Sequence, residues 1–308
     1  MAIRDELSMQ WRIGGTLVRL ILINVAVFLA MLIVDLVFLF VAQDPGLAEG
    51  MSRTWMRQWI ECPQDLSVLL TRPWTVITYM FAHDGMGIGH VFFNMLMLWF
   101  SGRLFQNILG DKRLLGNYIL GGLSGLVLFL FFYNALPMYR GEGWIVGASA
   151  SVMSVLIGIA AYRPQMVVNL MLFGPVKLMY VAGILLVVDM VSIRAGSNSG
   201  GHIAHLGGAL YGVISARLLA SGKDPSLAFV EALERAWDFV RGRKRARMRV
   251  VEKRPTRRVG ATVDVDYNAA KKDKQARVDA ILDKIGRSGY DSLSKAEREF
   301  LQNASKDR

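Results

Sequence analysis

Residues 17–42 read LVRLILINVAVFLAMLIVDLVFLFVA. A helix needs about 20 apolar residues to cross a bilayer, and only Arg19 and Asp35 interrupt this run with charge. The stretch is too long for a secretory signal and has no small-residue cleavage site, so it is expected as a retained span. Asp35 is costly in lipid and is expected to face protein or water. The same length rule predicts five further spans, at 89–106, 113–134, 146–162, 176–193 and 202–221. Two of them are unusually polar. Residues 89–106 carry His90, Asn94, Arg103 and Gln106, and residues 202–221 carry His202 and His205 among Gly and Ser. Polar groups kept inside a span are candidates for function.

The composition agrees with a membrane body. Of 308 residues, 53% are apolar and 20% charged, and mean hydropathy is +0.34. Disorder, collagen and a disulfide scaffold are excluded. The one cysteine, Cys62, can form no internal bridge. Charge is divided unevenly. Residues 1–222 hold 14 basic and 11 acidic residues, and residues 223–308 hold 22 and 14. Three parts are therefore expected: a membrane domain at 1–222, a basic juxtamembrane segment and linker at 223–270, and a small helical hairpin at 271–308. The fold class is all-α, a polytopic bundle of six helices with a small soluble helical C-terminal domain.

Orientation follows the basic residues of the short loops. With the N-terminus inside, Arg4, Arg12, Arg103, Lys112, Arg113, Arg163 and Lys177 lie inside with the basic tail, against Arg53, Arg57, Arg72, Arg140 and Arg194 outside. Both termini are thus expected on the cytoplasmic side. The first loop, 43–88, holds Trp55, Trp59, Trp74, Tyr79 and Phe81 with few charges. Short helices in the headgroup zone are expected there, because Trp and Tyr gather at that interface.

Three polar elements carry the chemistry. Gly147-Ala148-Ser149-Ala150-Ser151 opens the fourth span. Small residues let backbones approach, and the free N–H groups of a helix N-terminus stabilise negative charge. Ser149 there suits either a nucleophile beside an oxyanion site or a packing face. Ser151 is about 200° round the helix from Ser149, so the two cannot share a partner. His205 precedes Gly208 and Gly212, whose spacing of four makes a close-packing face. One helical turn from Gly208, His205 is offered to the neighbouring helix, as a base for Ser149 or as a structural hydrogen-bonding group. His90 and Asn94 share a face at i,i+4 and can each present an N–H to an oxyanion. No metal is expected, because no carboxylate or cysteine accompanies the short-range pair His202 and His205 and His-Glu-x-x-His is absent. No cofactor is expected either.

These elements, in this order, resemble the rhomboid intramembrane serine proteases over roughly residues 15–220. The resemblance includes the first-loop run from Trp74 to His83, His90-x-x-x-Asn94, Gly147-x-Ser149, and Ala204-His205-x-x-Gly208-x-x-x-Gly212. It implies Ser149 as nucleophile and His205 as general base with no carboxylate third member. It implies His90, Asn94 and the Ser149 backbone N–H as the oxyanion hole. Gly147, Gly208 and Gly212 would pack the helices. Three positions depart from the family pattern. Gln106 stands where Glu is usual, with a structural hydrogen bond expected to survive. Ala150 replaces a common Gly, and Met153 a common Tyr.

The expected reaction is hydrolysis of peptide bonds in or near the transmembrane helices of membrane-protein substrates. The alternative is a rhomboid-like pseudoprotease that escorts membrane proteins without cutting them. A transporter is disfavoured by the lack of an internal repeat. Such a site needs water at membrane depth, hence a cavity open to the outer side. Substrates should carry helix-weakening residues that free their backbone. The basic run 241–258 has ten Lys and Arg against Glu252. It suits anionic lipid headgroups, and its lack of interleaved aromatics disfavours nucleic acid. Residues 271–305 resemble a small domain found after some bacterial rhomboids, and the expected location is a bacterial inner membrane.

Overall fold

The computed structural model describes residues 3–83, 88–139, 143–171, 173–194, 198–242 and 261–306. The basic run from Arg243 to Arg258 therefore lies outside the described residues. The chain divides into two compact units, 1–244 and 245–308.

The first unit opens with α1 (Ile3–Ile13) and the long α2 (Gly15–Ala42). The first loop then folds as α3 (Pro45–Trp59), α4 (Leu66–Thr71) and α5 (Thr75–Thr78). Asp44 and Asp65 cap α3 and α4 by accepting backbone N–H groups. The Ser67 hydroxyl, and then the backbone N–H groups of Ser67 and Val68, hold the Asp65 carboxyl below its ordinary range. Trp59 and Trp74 stack in this loop at 6.1 Å, and both remain exposed.

The remaining helices of this unit are α6 (Ile88–Leu109), α7 (Asp111–Ala135), α8 (Ser149–Tyr162), α9 (Leu178–Arg194), α10 (Ser199–Ala220) and α11 (Pro225–Val240). Together α2 and α6 to α10 match the six expected spans. By length and composition α2, α7 and α10 are each long and apolar enough to cross a membrane. Two short antiparallel ribbons tie loops together: β1 (Cys62–Pro63) with β2 (Trp144–Ile145), and β3 (Val167–Leu170) with β4 (Gly174–Lys177).

The core lies between α7, α8 and α10, where Tyr118, Phe129, Leu156, Ile159 and Ala204 are buried. α2 and α9 instead present apolar residues outward, among them Phe40, Val41, Ile184 and Val191. That inversion suits a lipid solvent, and the protein is an all-α, multi-pass membrane protein. A buried polar network crosses the core. Asn117 on α7 donates to Ser154 Oγ on α8 (2.9 Å) and accepts from Ser215 Oγ on α10 (2.8 Å). Asp35 faces protein, as the cost of charge in lipid demands. It accepts a hydrogen bond from Ser52 on α3.

The second unit holds α12 (Ala261–Ser288) and α13 (Lys295–Lys306). The linker expected to reach residue 270 ends earlier, because α12 already begins at Ala261. Residues 261–270 hold no proline or glycine to break a helix. The segment from 223 also contains α11, started by Asp224 as cap and Pro225 in the first turn. α12 ends just before Gly289, whose φ is +77°. Of the apolar stripe on α12, Ile281 is buried and Leu282 exposed. Ser294 and Glu297 form a reciprocal cap, and Lys284 pairs with Glu297 at 2.9 Å. These bonds hold the Glu297 carboxyl at about 2.

Candidate active site

Ser149 is the first residue of α8. The chain reaches it through Gly147, whose φ of +138° is closed to residues with a side chain. Gly147 N–H is anchored on the Tyr79 carbonyl at 2.9 Å. The helix has only 14 residues, about 21 Å at 1.5 Å per residue. That is shorter than the ~30 Å hydrocarbon layer. A helix of that length cannot by itself span the layer.

The serines of α8 face different partners. Ser154 is bonded to Asn117. Ser151 is fully buried, on the side where α8 meets Gly122 of α7. Ser149 is half-buried.

α10 crosses α8 one residue beyond Ser149. A Cβ built on Gly208 would fall 2.0 Å from the Ala150 carbonyl oxygen, and one on Gly212 would fall 2.7 Å from the Ser154 carbonyl oxygen. The two glycines thus let the backbones touch, and His205 lies one turn before that contact. Among the described residues no hydrogen bond joins Ser149 to His205.

His205 has a partner that short-range spacing cannot reveal. Its Nδ1 lies 2.8 Å from Asp189 Oδ1 on α9, and His202 Nδ1 lies 2.7 Å from the same oxygen. A carboxylate only accepts hydrogen bonds, so both rings donate from Nδ1–H, and in the neutral ring this leaves Nε2 as the acceptor nitrogen. The two rings stand edge to face at 5.6 Å. Their side chains are almost equally exposed, 19% for His202 and 16% for His205. His202 therefore does not sit apart toward solvent. Asp189 also corrects the reading that no carboxylate accompanies the histidine pair. It comes from the neighbouring helix, 16 residues before His205. The signal was present, since Asp189 is an acid inside an expected span, where acids mark functional groups.

His90 and Asn94 lie on one face of α6. Asn94 is buried and donates from Nδ2 to the His90 carbonyl at 3.1 Å. The His90 ring meets His83 edge-on at 5.6 Å. Among the described residues neither is hydrogen-bonded to Ser149. Gln106 keeps its structural bond, with Oε1 accepting from Leu17 N–H at 3.1 Å.

Residues 70–222 match the family described as the rhomboid domain. The chain carries a rhomboid domain. Residues 261–307 match a family of unknown function, DUF6576. The rhomboid match starts well after α2, so it is shorter than the resemblance read from the motifs. Similar curated proteins include "RHOMBOID-like protein 12, mitochondrial" of Arabidopsis thaliana, 31% identical over 48% of this chain and 47% of that protein. "Presenilin-associated rhomboid-like protein A, mitochondrial" of Danio rerio is 30% identical, over 46% of this chain and 37% of that protein. "Rhomboid-like protein 17, chloroplastic" of Arabidopsis thaliana is 28% identical over 47% and 48%. The chain thus spans less than half the length of these relatives. Their names place them in eukaryotic organelles, so the expected bacterial inner membrane gains no support from them.

Proposed function

We propose that this rhomboid is an intramembrane serine protease that hydrolyses peptide bonds in or near transmembrane helices. Ser149 attacks the scissile carbonyl, and His205 Nε2 takes its proton and later delivers it to the leaving amine. The observation that carries this reading is the 2.8 Å bond from His205 Nδ1 to Asp189. It fixes the tautomer that leaves Nε2 basic, and it stabilises the imidazolium that forms. The dyad implied by the family resemblance becomes a triad in this reading. The N-terminal N–H of α8, with His90 and Asn94 drawn in, stabilises the tetrahedral oxyanion. Closure of Ser149 onto His205 completes the site when substrate binds, since catalytic hydrogen bonds are often long in a resting enzyme.

The short α8 supports a wet site below the outer surface, in the orientation with both termini inside. Substrates are membrane proteins whose spans carry Gly, Pro or other helix-weakening residues near that surface. The basic run 241–258 attracts anionic lipid, at about 1 kcal/mol per basic residue close to the membrane. A serine-directed fluorophosphonate tests the reading: labelling of the wild type and none of Ser149→Ala supports it. The absent Ser149–His205 bond favours a second reading, an escort that binds spans without cutting. Failure of folded wild-type protein to label would support that alternative.

A further inference from the structure

We infer that Asp189, His202 and His205 form a binding site for a zinc-class divalent metal ion, and that filling it takes His205 out of service as a base. The second clause rests on the function proposed above; the first does not. The three candidate ligand atoms, Nδ1 of both rings and the Asp189 carboxylate oxygen, lie within 4.8 Å of one another. They come from adjacent turns of α10 and from one position on α9, so a rigid helix pair presents them together. Zinc binds imidazole and carboxylate at about 2.0–2.2 Å in a tetrahedron, which sets ligand atoms roughly 3.3 Å apart. The present separations to Asp189, 2.7 and 2.8 Å, need to open by only about half an ångström. Two nitrogens and one oxygen suit Zn²⁺ or Co²⁺ and not Mg²⁺ or Ca²⁺, which take oxygen ligands. Three protein ligands leave the fourth position to water. Asp189 is buried but both imidazoles are partly exposed, and Asp189 and His202 lie within two turns of the helix ends joined by the α9–α10 connection. An ion can therefore reach them.

The chemical consequence follows from the tautomer. In the metal-free site Nδ1 carries the proton and Nε2 has the free pair. Metal on Nδ1 displaces that proton, and Nε2 takes one from water. Each ring is neutral before and after, and no net proton is released. With Nε2 protonated, His205 has no pair left to accept the Ser149 proton. The ion and the catalytic hydrogen bond thus compete for one nitrogen.

Untagged full-length protein in detergent micelles, titrated with Co²⁺ and then Zn²⁺, tests the site. One equivalent of Co²⁺ should raise the visible absorption bands of a four-coordinate centre, and one equivalent of Zn²⁺ should abolish them. Asp189→Asn and His202→Gln should each weaken Co²⁺ binding by about tenfold or more, with unchanged gel-filtration behaviour. Absence of a saturable band in the wild type overturns the site whether or not the variants fold. So does a band that both variants retain, or one lost instead in His83→Ala, which tests the other histidine pair. Fluorophosphonate labelling supplies the second readout. Zn²⁺ should block it over the same concentration range, and chelation should restore it. Bands without inhibition overturn the competition and leave the site. No labelling of the metal-free wild type overturns the protease reading and the competition together, while the spectra still decide the site.

Discussion

Gly208 and Ala150 meet backbone to backbone. A methyl on Gly208 would fall 2.0 Å from the Ala150 carbonyl oxygen, where no side chain is free to move aside. Ala150 follows Ser149, so this contact sets how close α8 and α10 come. Gly208→Ala should lower the unfolding free energy by about 1–3 kcal/mol, read as a lower Tm in detergent. It should also reduce Ser149 labelling, because the only relief is to part the helices. An unchanged Tm with full labelling would contradict the contact.

Asp189 should matter to rate far more than to substrate affinity. Asp189→Asn keeps the shape but can offer Nδ1 an N–H donor, which favours the wrong tautomer of His205. The matching change in soluble serine proteases costs on the order of 10⁴ in kcat, and a loss of at least about 100-fold is expected here on the same ground. Kinetics on a transmembrane reporter should show kcat falling with KM nearly constant. Equal kcat in the variant would remove Asp189 from the mechanism.

Asn117 joins α7, α8 and α10 through Ser154 and Ser215. Asn117→Ala removes both side-chain bonds while Ser154 Oγ keeps the residue-117 carbonyl and Ser215 Oγ the Gly212 carbonyl as acceptors, so a loss of about 1–3 kcal/mol in all is expected. A double-mutant cycle with Ser215→Ala should be non-additive, since both changes remove the same Asn117–Ser215 hydrogen bond. Additive losses would show that the network does not act as a unit.

His83, in the first loop, is buried, and among the described residues neither ring nitrogen has a hydrogen-bond partner. Burial, and then the neighbouring His90, pull its pKa from 6.5 down to about 4. The folded state thus holds His83 neutral where the unfolded chain would protonate it. Its contribution to stability is complete above pH 6.5 and is lost as pH falls toward 4. Tm should drop by several degrees across that window, on a scale of roughly 2–4 °C per kcal/mol for a domain of this size. His83→Gln should flatten the slope; an identical slope would assign the pH dependence elsewhere.

The helical spans were legible because lipid demands long apolar runs, and α2 and α7 satisfy that demand without reference to any partner. Ser149, His205, Gly208 and Gly212 were legible as local patterns, since each lies in a short stretch of unusual residues. Asp189 was not found by spacing, because it reaches His205 from another helix. The rule that made Asp35 conspicuous applied to it equally. The start of α12 was obscured for a different reason. Residues 261–270 read ATVDVDYNAA, a stretch with no 3.6-residue run of large apolar residues to mark a helix. The oxyanion role proposed for His90 and Asn94 was suggested by their shared helical face, which the structure places on α6.

The most direct test of the central claim is covalent labelling of Ser149. Full-length protein in bilayers, exposed to a fluorophosphonate, should acquire one adduct that peptide mapping assigns to Ser149. The adduct should vanish in Ser149→Ala and in His205→Ala. Folded wild-type protein that stays unlabelled, or an adduct on any other serine, would contradict the account.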